Sequence, residues 1–238
     1  MDHDDFQGQL VSRREVLSLL GATGLTLLAG QSFSQSPRAP SCVATPEQTE
    51  GPYFVDEGLN RSDIRSDPAD ASIREGTPLT LRLIISSVDK AGCRPLNGAI
   101  VDIWHCDAAG AYSDVRDPRF STAGKKFLRG YQVTDQDGAV RFTTIYPGWY
   151  PGRAVHIHFK VRTAPKAARA YEFTSQLYFD DAITDRAHTR PPYAGRRTRR
   201  TRNADDGLFG DGGDQLMLRL TENPQGYAAG FHVGLLKA

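Results

Sequence analysis

From residue 79 onward the chain is cut into short apolar and β-branched runs, with almost no helical periodicity among them. The runs Leu79–Val88, Ala99–Trp104, Gly130–Thr134, Ala139–Ile145, Ala154–Val161, Phe173–Phe179, Leu216–Leu220 and Tyr227–Leu235 predict strands separated by Gly, Pro and Asp turns. Short strands at fairly regular spacing predict an all-β fold, a single-domain β-sandwich with long loops. A chain of 238 residues is long enough to bury one such core. Asp135-Gln136-Asp137-Gly138 predicts a hairpin between two of the strands. The same tetrapeptide matches part of a calcium loop, but the remaining ligands and the closing Glu are missing.

The first thirty residues read differently. Arg13-Arg14 precede an apolar run, Val16 to Ala29, broken by Ser18, Gly21, Thr23, Gly24 and Thr26. A twin arginine before a short, mildly apolar segment predicts a twin-arginine export signal over residues 1–30, and a periplasmic or extracellular protein. The run is too short and polar for a stable membrane span, which needs about 20 apolar residues. Residues 31–41 read as a Gln-, Ser- and Pro-rich linker, leaving 42–238 as the folded domain. Outside the cytoplasm a disulfide persists. Cys42 and Cys93 lie in polar, turn-rich sequence and Cys106 follows an apolar strand, so a Cys42–Cys93 bridge with a free, buried Cys106 is expected. Three unpaired thiols are the alternative.

Charge is balanced, 29 basic residues against 28 acidic, which gives no global signal for nucleic acid. The one basic run, Arg196 to Arg202, lies in a loop without aromatic platforms for bases and reads as solvated.

Chemistry concentrates between Thr143 and Arg162. In Val155-His156-Ile157-His158-Phe159 the two histidines fall on one face of a strand. A Pro-Gly-rich turn just upstream carries Tyr146, Trp149 and Tyr150, then Arg153. No Cys or carboxylate interleaves the pair, which disfavours a structural zinc site. Phenols and imidazoles together suit ferric iron better than zinc or copper(I).

Five stretches resemble the intradiol ring-cleavage dioxygenase family, of the protocatechuate 3,4-dioxygenase-like group. They are Thr49-Glu50-Gly51-Pro52-Tyr53, Ile103 to Ser113, Phe127-Leu128-Arg129-Gly130, Thr143 through His158, and Ser175-Gln176-Leu177-Tyr178-Phe179. The resemblance implies one non-haem ferric ion, Fe(3+), held by Tyr112, Tyr150, His156 and His158. The family pattern places its ligand after Pro-Gly-x, which selects Tyr150 over Tyr146 and leaves Tyr146 as a wall or outer residue. It further implies that Arg153 stabilises charge on the substrate ring, and that Gln176 lies over the site. Gly51, Pro52 and Tyr53 would line the substrate pocket, with Trp149 either walling it or packing in the core. The implied reaction is cleavage of a catechol between its hydroxyls by dioxygen, giving a cis,cis-muconate, with Tyr150 accepting a catechol proton. Cys42 leads directly into loop and strand, without the helical region expected of the catechol 1,2-dioxygenase branch. Two other readings stay open: a silent β-sandwich binding module, and a zinc hydrolase. Sequence does not place Arg74, Arg129 or Arg162 in the pocket to meet a substrate carboxylate.

Overall fold

The computed structural model describes residues 43–163, 171–196 and 200–236. The expected export signal and linker, and Cys42, lie outside the described residues. Eleven strands form among the described residues: β1 (Pro78–Asp89), β2 (Gly92–Pro95), β3 (Ile100–Trp104), β4 (Arg116–Asp117), β5 (Phe120–Ser121), β6 (Arg129–Val133), β7 (Ala139–Ile145), β8 (His156–Arg162), β9 (Glu172–Tyr178), β10 (Arg219–Asn223) and β11 (Gly226–Leu236). One sheet runs β10-β11-β1-β2, with β7 also on β1, and a second runs β6-β3-β8-β9. The short β4–β5 hairpin stands apart.

The sheets are held together by the period-2 pattern. Leu79, Leu81, Leu83 and Ile85 alternate along β1 and are fully buried. They share one core with Val101 and Ile103 of β3, Ile157, Phe159 and Val161 of β8, and Leu177 of β9. Since Ile157 and Phe159 face that core, His156 and His158 face away from it, on the outer side of the second sheet. They are nonetheless 2% exposed. The loops around residues 49–54, 105–115 and 146–154 cover them, and that cover makes a site out of a sheet surface.

Several expectations need correction. The Asp135–Gly138 turn forms, with Asp135 Oδ1 accepting from Asp137 N at 3.0 Å and Ala139 N at 2.8 Å. However, β6 pairs with β3 and β7 with β1, so the turn crosses between sheets and is not a hairpin. The strand expected at Leu216–Leu220 begins at Arg219, because Gly213–Leu216 closes into a 3-10 turn. A helix, α1 (Asp181–Ala187), follows β9 unforeseen; Asp180 caps it, accepting from Ala182 N and Ile183 N. The arginine run is not simply solvated. Arg196 lies 3.9 Å over the Trp149 ring, while Arg200, nearly buried, pairs with Asp181 and Asp185 of α1. Residues 197–199 of that run lie outside the described ones. Cys93 is disulfide-bonded and Cys106 is free and buried, as expected. Among the described residues no helix is long and apolar enough to cross a membrane.

A buried histidine outside the tyrosine–histidine cluster adds to the acid sensitivity of the fold. His105, just after β3, donates from Nδ1 to the Cys106 carbonyl at 2.8 Å and meets Thr144 Oγ1 through Nε2 at 2.7 Å. Burial pushes its pKa down from 6.5 to about 4. Between those values the unfolded chain binds a proton that the folded ring refuses, so stability is complete above the upper value and is lost on acidification. The shift corresponds to about 3 kcal/mol. Denaturant titrations of iron-free protein should show this loss, and His105→Gln should reduce it while the other buried histidines keep their share; identical slopes in both proteins would contradict the assignment.

Candidate metal centre

Four side chains from two loops and one strand converge. His156 Nε2 lies 3.0 Å from His158 Nε2, 3.2 Å from Tyr112 Oη and 3.3 Å from Tyr150 Oη. His156 Nδ1 donates to the Ala154 carbonyl at 2.7 Å, which leaves the lone pair on Nε2. On the other histidine, Trp104 stacks on the ring at 4.9 Å and 6°, its cross-strand neighbour in β3. His158 Nδ1 is buried without a hydrogen-bond partner.

Tyr112 reaches the cluster on the loop after β3. Asp107 Oδ1 shapes that loop by accepting from Ala109 N and Ala111 N. Arg129 locks it, donating to Ser113 Oγ at 2.7 Å and to the carbonyls of Tyr53 and Val55 at 3.3–3.4 Å. Tyr150 arrives on the turn before β8. The two tyrosine loops pack backbone on backbone at Gly110 and Gly148. A Cβ on Gly110, whose φ is +88°, would collide with the Trp149 carbonyl, and one on Gly148 would lie 2.6 Å from the Ala108 oxygen. Gly148→Ala should therefore push the loops apart, lowering both iron retention and melting temperature. Iron content and a thermal melt equal to those of the parent protein would contradict this.

Without a cation all four groups are neutral. Burial holds the Tyr112 hydroxyl well above its ordinary pKa and pushes Tyr150 up to about 12. Burial, with the Arg153 charge adding to it, pushes His156 down to about 3; His158 also falls well below its usual value, again mainly through burial. Yet two phenol oxygens and the second imidazole nitrogen crowd a single lone pair on His156, which can accept from only one of them. A metal resolves the conflict. With bonds of about 2.1 Å, ligands at right angles are about 3.0 Å apart and tetrahedral ones about 3.4 Å, and the observed separations fall in that range. A strongly Lewis-acidic cation would also reverse the pKa logic and ionise the phenols. The residues present fit an iron ion.

The other residues singled out in the sequence sort clearly. Tyr53 stacks on Tyr112 at 4.6 Å, and a Cβ on Gly51 would lie 3.4 Å from His158 Cε1, so that loop does reach the cluster. Pro52, between them, is exposed. Gln176, paired with His158 across β8 and β9, accepts from Arg153 Nη2 at 2.5 Å and donates to the Thr49 carbonyl. Trp149 packs in the main core. Tyr146 is neither wall nor outer ligand partner: its hydroxyl bonds Thr184 at 2.7 Å and its ring packs on Phe179 and Tyr227. Arg162 is paired with Asp102 and Asp56, and Arg74 lies over Phe127. The cation beside Tyr150 from the outside is Arg119 of the β4–β5 hairpin, 5.7 Å from the ring centre and paired with Asp117. Sequence reasoning did not single it out.

A β-sandwich that gathers two tyrosines and two histidines on the outer face of one sheet presents a donor set that a metal ion would fit. A family model described as Dioxygenase matches residues 49–189, and the chain belongs to the intradiol ring-cleavage dioxygenase family. It is similar to an intradiol ring-cleavage dioxygenase from Tetranychus urticae, with 32% identity and a TM-score of 0.70, covering 82% of this chain and 95% of that one. It is similar as well to the dioxygenase domain of a dioxygenase carbohydrate-binding protein fusion from Streptomyces sp. SirexAA-E, with 31% identity and a TM-score of 0.58, covering 82% of this chain and all of that one. The protocatechuate 3,4-dioxygenase beta chain of Burkholderia cepacia is 33% identical over 118 residues, 45% of this chain and 48% of that protein. The chain spans about half the length of the first curated relatives it matches. The family generally depends on non-haem iron.

Proposed function

We propose that this protein is an intradiol dioxygenase that opens catechol-type rings between their two hydroxyls, consuming dioxygen and giving cis,cis-muconate-type products. The observation that carries this reading is the convergence of Tyr112 Oη, Tyr150 Oη and His158 Nε2 within 3.3 Å of His156 Nε2, beside the Arg153 cation. Tyr112, Tyr150, His156 and His158 would hold the metal. When bound, ferric iron supplies a Lewis acid that ionises the phenols and polarises a chelated catechol for reaction with dioxygen.

The chain supplies the rest. Tyr112 is fully buried beneath Tyr53, whereas Tyr150 is partly exposed. That difference makes Tyr150 the exchangeable phenolate, whose Oη accepts a catechol proton. The Ala154 carbonyl keeps His156 in the tautomer that presents Nε2. The Arg153 field reaches both histidines and Tyr150, so its guanidinium stands ready for negative charge on the ring. Gln176 holds that guanidinium from one side. Tyr53, Gly51 and Trp104 close the surroundings and keep water out.

Export by the twin-arginine route belongs to the same proposal. Arg13-Arg14 and the disulfide-bonded Cys93 support it, since the first is an export mark and the second fits an oxidising compartment. The route carries folded proteins, which permits metal loading beforehand.

Visible absorption of the iron-loaded protein tests the ligand set, followed by oxygen uptake with catechol, protocatechuate and hydroxyquinol. A phenolate charge-transfer band that shifts on adding a catechol, together with uptake, is the expected result. A colourless zinc protein would favour a hydrolase. Stoichiometric iron with no uptake across the panel would favour a silent binding module.

A further inference from the structure

The loop after the 3-10 turn Asn203–Asp205 buries a carboxylate that the iron site does not touch. Asp206 lies outside the stretch matched by the family model, 49–189. Its side chain is 1% exposed. Oδ2 accepts from Arg153 Nε at 3.0 Å and from Ala154 N at 2.9 Å, and Oδ1 accepts from Leu208 N at 2.9 Å. Nη2 of the same guanidinium donates to Gln176 Oε1 and, at 3.4 Å, to Tyr178 Oη. Nη1 makes no hydrogen bond to a described residue, so it is the edge left over for charge arriving from outside. The loop itself is pinned, with Asn203 Nδ2 donating to the Phe179 carbonyl at 2.9 Å and Asn203 N to Asp181 Oδ2 at 3.1 Å.

We propose that Asp206 is the positioning residue for Arg153, fixing the guanidinium between itself and Gln176 so that the cation meets the charged substrate ring in one orientation. This rests on the dioxygenase reading above. A buried ion pair is weak evidence for stability, because desolvation offsets the attraction. Orientation is the better account of this one. An arginine has several rotatable bonds, and holding Nε and Nη2 by two separate acceptors removes that freedom before substrate arrives. The same oxygen also accepts from Ala154 N, a bond that the side-chain oxygen of an asparagine can keep.

A double-mutant cycle on the iron-loaded, full-length protein tests this. Asp206→Asn should lower kcat/KM for catechol by about 10–100-fold, with iron content and visible band near those of the parent and a lowered but still cooperative melt, since Arg153 loses its buried counter-charge. Affinity for a coloured nitrocatechol, titrated optically without turnover, should weaken in the same variant. In an Arg153→Ala background, adding Asp206→Asn should change kcat/KM and nitrocatechol affinity by less than about threefold, since the group it positions is gone. Asp206→Glu keeps the charge, guards against a misfolded Asn variant, and should recover part of the loss. Equal losses in both backgrounds, or a loss explained wholly by missing iron or a collapsed melt, would overturn the proposal. A parent protein that binds iron but never turns over would instead remove the functional reading, and that arm is read first.

Discussion

His158→Ala is expected to strip the protein of iron and take turnover below detection. His158 is the third residue of β8, with Ile157 and Phe159 anchored in the core on either side. Its Nε2 faces His156 Nε2 at 3.0 Å, and the Trp104 stack allows the ring little freedom. Losing a ligand bond worth about 3 kcal/mol weakens metal binding by about 100-fold. The same substitution should harm the iron-free fold far less. It removes an imidazole whose Nδ1 is buried without a partner, so the polar cost it relieves partly offsets the cavity it leaves. Metal analysis after dialysis, paired with melts of the iron-free protein, separates the two effects. A full iron complement would remove His158 from the ligand set. Tyr146→Phe is the control and should keep its iron, because that hydroxyl is spent on Thr184.

Tyr150→Phe should leave iron bound, more weakly, and cost turnover about 10²–10⁴-fold, the usual contribution of a placed general base. The ring remains, so its edge-on packing against Tyr112 and Tyr53 is kept. Only the oxygen 3.3 Å from His156 Nε2 is lost. The visible band should weaken without vanishing, since Tyr112 still supplies a phenolate. Unchanged turnover would contradict proton acceptance by Tyr150.

What could be read from residues alone follows physical lines. Alternation gave the strands, because a half-buried pleat imposes period 2 on the side chains that face the core. The same rule put His156 and His158 on one face. It did not tell which sheet a strand joins: Asp135–Gly138 makes the same local bonds whether its flanking strands pair or part, and here they part. Gly213–Leu216 likewise has apolar character but closes into a 3-10 turn. Tyr112 had no local signature at all. It became a candidate through resemblance, and its place beside His156, 44 residues away, is a product of the fold. Asp206 is more remote still, 53 residues after Arg153, in an Asp-Asp-Gly stretch that reads as an ordinary turn. The arginine run illustrates the opposite error. Charge implied solvent, whereas Arg196 and Arg200 are drawn inward by Trp149 and the acidic residues of α1.

The most direct test is mass analysis of the product formed from catechol by the iron-loaded protein under isotopically heavy dioxygen. A cis,cis-muconate carrying both atoms of one dioxygen molecule is the predicted result. A product opened beside, not between, the two hydroxyls, or no product despite one iron per chain, would contradict the account.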